Sequence, residues 1–546
     1  MKRIKYLVPL IVAVIVLLSC GTIAGERYIR ETKRKQIYED AVTVLEQLEE
    51  EEVASNEMSE AIVLAISNAK YVEPKNIIYM IGDGMGFPIV EATEAAYREQ
   101  LYEGTLAMHC LPTQSSQTTY SMFNEITDSA AGGTALATGF KTTNSIVAMN
   151  WDATENYKTV LELAAEKGKS TGIVVTKSVT DATPATFTAH AETRELQDAI
   201  ATMQLEKMMD GTLDLMFGGG SSYFEGNANK TLLEKAKEAG VTYVEKWEEA
   251  ETANLPMAGL FAEGQLNTEA STTPTIAAMT ERAIELLSED EDGFFLMVEG
   301  SLIDIYGHEN NLQREMEEVY QFDRAVEVAM KYVAIHPDTV LIVTADHETG
   351  GLEIPENLSK NSVQKSNYTS ENHTGKAVPI FAVGYGVEIF NKANENTDVA
   401  VFVADLLGEE EFGYQGSLYN LQRGKKKVVF ASDTESTYSV PVDADKLKLN
   451  PEEKIRVLHV NLENLTDREQ VIPILRIICA GEEYEVKPQI DYMGGKENFI
   501  VTYNFPEACW LNHTLDDITE FVFTTDGQQA SYRFSNIQLR GRIMGR

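Results

Sequence analysis

Cysteine is scarce, with four in 546 residues. That excludes a dense disulfide scaffold, and a chain this long needs none, because it can bury one large core or two moderate ones. Positive charge is short too: 46 Lys and Arg stand against 85 Asp and Glu, a formal charge of -39. A surface so negative repels phosphate backbones and anionic headgroups, which argues against nucleic-acid binding or electrostatic membrane adsorption. An anionic small substrate is still open, since metal ions invert the sign of the field inside a pocket. The apolar run at the amino end, Tyr6 to Leu18, falls short of the roughly 20 residues that a spanning helix needs. There is no internal repeat and no long low-complexity linker. What is present, 43% hydrophobic and 24% charged residues, is enough apolar surface to fold.

The short apolar run follows Lys2, Arg3 and Lys5 and precedes Ser19-Cys20-Gly21, the order of an export signal. Leu17-Leu18-Ser19-Cys20 also resembles the lipobox of bacterial lipoproteins, which implies a signal over 1–19 and a lipid anchor to membrane on Cys20. An uncleaved anchor helix is the alternative, and both put the bulk of the protein outside the cytoplasm. Residues 20–70 read as an acidic helical segment, with Ile37, Ala41, Val44, Leu45 and Leu48 forming one apolar stripe. It is either a spacer from the membrane or a helix packed on the main body.

From Lys75 the character changes. Asn76 to Ile81, Gly172 to Val175, Gly293 to Val298 and Thr339 to Thr344 are apolar runs without alternation, as expected of strands buried on both faces. Helical stretches lie between them, at Ser129 to Thr138, Tyr157 to Lys167, Glu195 to Met209, Thr273 to Leu287 and Asn311 to Val333. This alternation predicts an α/β domain over 71–415 with a largely parallel, helix-flanked sheet and an insertion at about 220–274. Beyond it, short strand-like runs separated by turns predict an all-β domain over 416–546, a sandwich by pattern. Cys479 and Cys509 both fall there, as a disulfide or as two buried thiols.

Three of the four buried-type strands run into acids: Asp83, Glu299 and Asp346-His347. Ligands bind beyond the carboxyl ends of such strands, so these side chains should converge. Asp304 and His308 are one helical turn apart, and His373 sits in a loop without apolar periodicity. Imidazole with carboxylate suits zinc, whereas oxygen-only sets suit magnesium. Thr127-Asp128-Ser129-Ala130-Ala131 suggests a helix whose amino end faces a ligand, with Ser129 activated by a metal, or else a plain helix cap. Asp181 and Thr183 supply two hard-cation contacts. Arg194, four residues after His190, can grip two phosphate oxygens unless the pair is merely a solvated helix face.

Together these pieces resemble the alkaline phosphatase family. They are Gly82-Asp83-Gly84-Met85-Gly86, Thr127 to Ala131, Asp181 to Pro184 with His190 and Arg194, Val298 to Asp304 with His308, Thr344 to Gly351, and His373-Thr374-Gly375. They stand in the family's order and cover roughly residues 75 to 410. The resemblance implies that Asp304, His308 and His373 hold one zinc, and Asp83, Asp346 and His347 a second. Asp83 would also bridge to a magnesium held by Asp181, Thr183 and Glu299. Ser129 would attack phosphorus in line and carry a phosphoserine, Arg194 would clamp the phosphoryl oxygens, and water would release phosphate.

One departure stands out. Family members carry Lys, His or Trp just after the Asp304 position, where this chain has Ile305, a side chain that cannot pair with Asp181. The implied activity is phosphate-monoester hydrolysis, with small phosphate esters as substrates. Its rivals are a phosphodiesterase on the same two-metal scaffold and a catalytically silent surface-binding protein. Sulfatase chemistry is disfavoured because no cysteine sits in a Cys-x-Pro-x-Arg signal. Expected partners are a second copy in a homodimer and, for the β domain, glycan, cell wall or another subunit.

Overall fold

A computed structural model describes residues 23–49, 55–354 and 367–542, apart from breaks at 123, 227–228, 394, 410, 414–417, 423, 433–435, 450–453, 489–490 and 497. The expected export signal and Cys20 lie outside the described residues. Among the described residues no helix is long and apolar enough to cross a membrane.

The buried apolar runs form the centre of a nine-stranded sheet. In chain order its strands are β1 (Asn76–Gly82), β2 (Thr113–Gln117), β3 (Ser170–Ser178), β4 (Leu215–Gly219), β5 (Thr242–Val244), β6 (Met257–Leu260), β7 (Phe294–Gly300), β8 (Thr339–Thr344) and, after two short strands described below, β11 (Val378–Val383). Their order across the sheet is β2-β11-β8-β1-β7-β3-β4-β6-β5. From β8 to β5 every pairing is parallel, and β11 and β2 close one edge antiparallel. Every residue of β1, β7 and β8 is buried, because helices cover both faces. Two core clusters result, one on each side: Ile78, Met80 and Leu296 point into one, Ile77, Tyr79 and Phe295 into the other. The stretch expected to be an insertion supplies β5 and β6, which extend the sheet at the edge away from β8.

At the amino end, helices Ile23–Glu49 and Ser55–Asn68 pack together. Ala41, Leu45, Ile62 and Ile66 join the main core, so this part of the segment is a packing element rather than a free spacer.

The C-terminal region is antiparallel throughout. Leu418–Gln422, Ala530–Arg542, Lys454–Asn464 and Asn498–Asn504 form one sheet, with Lys426–Phe430 also paired to Ala530–Arg542. Thr437–Pro441, Ile518–Thr524, Ile474–Cys479 and Glu482–Val486 form another. Alternating residues from both fill one core, and the Phe523 and Phe534 rings meet across it at 5.1 Å. Cys479 and Cys509 lie buried in this core as neighbouring free thiols.

The nine-stranded sheet and the β region meet at a buried joint. Tyr120, just past β2, lies 6.2 Å from His459 of the β region, ring to ring. Its hydroxyl donates to Glu395, and Lys141 Nζ sits 3.8 Å over its ring. Lys141 also donates to the Tyr120 carbonyl at 2.6 Å and to Asn396 Oδ1 at 2.5 Å, and reaches Glu395 at 3.7 Å. The ion pair is fully buried, which is tolerable only because so many polar groups surround it.

Candidate active site

Parallel pairing aligns the carboxyl ends of β8, β1, β7 and β3. Ile81 is level with both Glu299 and Thr344, so the residues that follow open along one edge of the sheet. Asp83 follows β1, Glu299 ends β7, Asp346-His347 follow β8, and Asp181 lies shortly beyond β3.

The turn after β7 feeds the helix Leu302–His308, whose pitch brings His308 Nε2 to 3.3 Å from Asp304 Oδ1. His373 arrives on β10 (His373–Thr374), which pairs with β9 (Glu348–Thr349). Its Nε2 lies 3.4 Å from the same Asp304 oxygen and 3.1 Å from His308 Nε2. His308 Nδ1 faces the Glu371 carbonyl at 2.6 Å, and His373 Nδ1 the Thr127 carbonyl at 2.8 Å. A carbonyl only accepts, so each Nδ1 carries a hydrogen and each ring turns its Nε2 inward toward the Asp304 oxygen. Two imidazole nitrogens and a carboxylate oxygen converging at such distances form a set that could hold one metal ion.

A second group adjoins it. Ligand atoms of Asp83, Asp304 and His347 lie within 4.8 Å of one another. His347 Nε2 is 3.4 Å from Asp83 Oδ1 and 3.3 Å from Asp346 Oδ2. Asp304, expected to serve one cation, therefore borders both groups. The His347 and His373 rings stack with centroids 3.6 Å apart. Thr349 links the groups, with Oγ1 2.6 Å from Asp304 Oδ1 and 3.2 Å from His347 Nδ1.

Electrostatics tests whether metal ions fit. Both carboxylate oxygens of Asp83 and of Glu299, Asp346 Oδ2 and the Thr183 hydroxyl are buried with no donor at hydrogen-bonding geometry. Burial, then Asp346 and Asp304, push the Asp83 carboxyl well above the usual range. Burial and Asp304 push Asp346 up to about 7, while burial and Asp181 push Glu299 up to about 8. Asp304 goes the other way: burial opposes its charge, but His373, His347 and His308 hold it well below the ordinary value. Acids crowded this closely stay ionised together only when cations join them, and the donors present are metal-binding groups.

Ser129 opens the helix Ser129–Thr138, which ends on Gly139 in the left-handed region at φ 73°. Its hydroxyl is 3.2 Å from His347 Nε2 and almost fully buried. Gly132 allows the close approach: a Cβ there would meet the Asp346 carbonyl at 2.9 Å. Asp128 is indeed the helix cap, accepting from Ala131 N at 3.0 Å, but that is only part of its work. Its other oxygen accepts from Ser145 N at 3.0 Å and faces Arg194 Nη1 at 3.4 Å. Arg194 Nη2 lies 3.6 Å from Asp181 Oδ1, so one guanidinium spans Asp128, next to Ser129, and the oxygen-rich group.

His190 does not accompany Arg194. Both leave the helical register in the loop after the helix Ala182–Thr188, and His190 bonds Glu162 Oε1 at 2.9 Å and the Ala148 carbonyl at 2.9 Å. Its role is to brace the fold. Three residues escaped the sequence reading as site members. The sequence offers Asp128 only as a helix cap and gives Thr349 no role, and Lys177 lies in an apolar strand where only the three-dimensional neighbours reveal it.

The family model for alkaline phosphatase matches residues 74–363. The chain belongs to the alkaline phosphatase family. It is 33% identical over 416 residues to alkaline phosphatase 4 of Bacillus subtilis, covering 61% of this chain and 89% of that protein. It is 31% identical over 387 residues to streptomycin-6-phosphate phosphatase of Streptomyces griseus, covering 60% and 84%. Among solved structures, the alkaline phosphatase of the Antarctic bacterium TAB5 superposes with a TM-score of 0.56 at 31% identity, covering 62% of this chain and 99% of that one. The family match ends before the C-terminal strands begin. This alkaline phosphatase family member is therefore a hydrolase with a multi-metal active site built on the parallel sheet, and its catalysis is that of a metal-dependent phosphatase.

Proposed function

We propose that the protein hydrolyses phosphate monoesters to alcohol and inorganic phosphate through a phosphoserine on Ser129. The supporting observation is the Ser129 hydroxyl at a helix amino end, 3.2 Å from a metal-group imidazole and beside a guanidinium held by two carboxylates. Asp304, His308 and His373 would hold one Zn²⁺, Asp83, Asp346 and His347 a second, and Asp181, Thr183 and Glu299, with Asp83 bridging, one Mg²⁺. When bound, the ions supply Lewis-acid stabilisation of the entering and leaving oxygens and neutralise the acids around the phosphoryl group. Ser129 would lose its hydroxyl proton and form the new P–O bond in line as the bond to the alcohol oxygen breaks, and that oxygen would take up a proton to leave as the alcohol. Arg194 grips two phosphoryl oxygens and keeps phosphorus in line with Ser129. Water then displaces serine, returning its oxygen and leaving phosphate. The small phosphate ester named for the Streptomyces relative supports this substrate class.

Quenching the enzyme in acid during turnover of a labelled monoester, then mapping the labelled peptide, tests the nucleophile. Label on any residue but Ser129 refutes it. Faster hydrolysis of the matching diester would favour the phosphodiesterase reading instead.

We also propose export through the 1–19 signal and lipid attachment through Cys20, supported by the basic, apolar and small-residue order of that segment. Mass spectrometry of the mature amino terminus tests it: an unmodified start downstream of Cys20, or an intact Met1, rejects lipidation. The division into a catalytic part over 71–415 and a β part over 416–546 belongs to the same reading, and limited proteolysis between them checks it.

A further inference from the structure

Lys177 is the one cation that β3 sends into the acidic edge of the sheet. Its side chain is 13% exposed, and its ammonium lies 2.7 Å from Asp181 Oδ2. The other Asp181 oxygen faces Arg194 at 3.6 Å. Asp181 thus has two cations of the chain itself at ion-pair distance, whereas neither Glu299 nor Thr183 has one; Asp181 Oδ2, both Glu299 oxygens and the Thr183 hydroxyl are all buried without a donor at hydrogen-bonding geometry. Lys177 also feels Asp83, Asp304 and Glu299, so it sits among the acids rather than at their rim. Position 305, on the facing helix, is isoleucine and contributes no charge.

We propose that Lys177 is a built-in competitor for the third cation site: its ammonium contends with a divalent ion for Asp181 and so sets how weakly magnesium binds. The proposal rests on the reading of Asp181, Thr183 and Glu299 as the magnesium group. Lys177 makes its close ion pair with Asp181 and reaches Asp83 and Asp304 only at longer range, so the competition falls chiefly on the third group. The protein should therefore retain the two ions held through histidine and exchange the third readily. Lys177 acts on the reaction through Asp181 and is a positioning residue, not a catalytic one.

The test is direct magnesium binding to full-length, zinc-loaded protein by calorimetry or equilibrium dialysis. Lys177→Met removes the charge at similar length and should bind Mg²⁺ at least tenfold more tightly than the native protein. Lys177→Arg keeps the charge and should stay within about threefold of native. Lys177→Gln provides a second neutral variant should methionine disturb folding, with zinc content and melting temperature confirming integrity. In turnover the neutral variants should need less Mg²⁺ for half-maximal rate. One Mg²⁺ bound with equal or weaker affinity in the neutral variants overturns the role of Lys177 and leaves the magnesium site standing. No Mg²⁺ bound by any of the proteins overturns the site and the proposal together.

Discussion

Thr349→Val should loosen the metal centre by one to two orders of magnitude. Thr349 Oγ1 is 2.6 Å from Asp304 Oδ1. The carboxylate there is ionised and can only accept, so the single hydroxyl hydrogen goes to Asp304. Toward His347 Nδ1, 3.2 Å away, the same oxygen must then accept, which fixes the hydrogen on Nδ1 and turns the His347 Nε2 lone pair toward Ser129. Glycines at 84 and 307 make room for this side chain, since a Cβ at Gly84 would meet its Oγ1 at 2.8 Å and one at Gly307 its Cγ2 at 3.0 Å. Valine keeps the shape and deletes both bonds. A hydrogen bond to a charged acceptor contributes roughly 1.5–3 kcal/mol. At about 1.4 kcal/mol per decade that is a 10- to 100-fold loss, the range expected when a partner of a ligand is removed. The assay is zinc competition with a chelating dye on metal-stripped protein, alongside Thr349→Ser, which restores the hydroxyl and should bind near native. A change below about threefold in Thr349→Val would refute the coupling of the two metal groups through this hydroxyl.

Ser129→Ala should abolish the phosphoenzyme while leaving zinc content within about 10% of native, with slow residual turnover from the remaining machinery, measured by acid quench and metal analysis. Chelation should remove activity, and zinc with magnesium should restore more than either alone; full activity with one ion per chain contradicts the multi-metal reading. Asp128→Ala should cut kcat/KM more than tenfold, because it frees the helix start, the Ser145 amide and Arg194 at once; steady-state kinetics checks it. Glu162 concerns stability. Burial opposes its charge, but His190 and Lys207 hold its carboxyl down at about 2. The stabilisation is present above the unfolded value near 4.5 and is lost as pH falls toward 2. Glu162→Gln should therefore cost up to about 3 kcal/mol at pH 7 and much less at pH 2, by denaturant unfolding.

Much of the fold was legible because its strands announce themselves. Asn76 to Ile81 and Thr339 to Thr344 are apolar on both faces, and only a helix-covered parallel sheet accepts such runs. The metal residues were legible because the acids come directly after those strands and parallel pairing leaves their ends level. Lys177 was not. A lysine in an apolar strand carries no periodic signal, and its meaning depends on Asp181 folding back toward it. Nor could Ile37 to Leu48 tell whether its stripe met a partner, since amphipathicity specifies a buried face without naming what buries it. The antiparallel strands β2 and β11 were also hidden: Thr113–Gln117 is largely polar, and its place is settled by pairing with Val378–Val383.

The joint at Tyr120 limits how this protein can be taken apart. Relatives that match some three fifths of the chain show that the catalytic fold can exist without such an extension. Here, however, His459 of the β region lies 6.2 Å from the Tyr120 ring that Lys141 sits over, beside the buried Lys141–Glu395 pair. Cutting away the β region would let water reach a lysine and a glutamate whose geometry was set in its absence. Tyr120 stands nine positions before Ser129 in the chain, so the change would fall close to the site in sequence. The extension has become a gasket, and a shortened enzyme would have to replace Lys141 and Glu395 with an apolar pair before it could be cut cleanly.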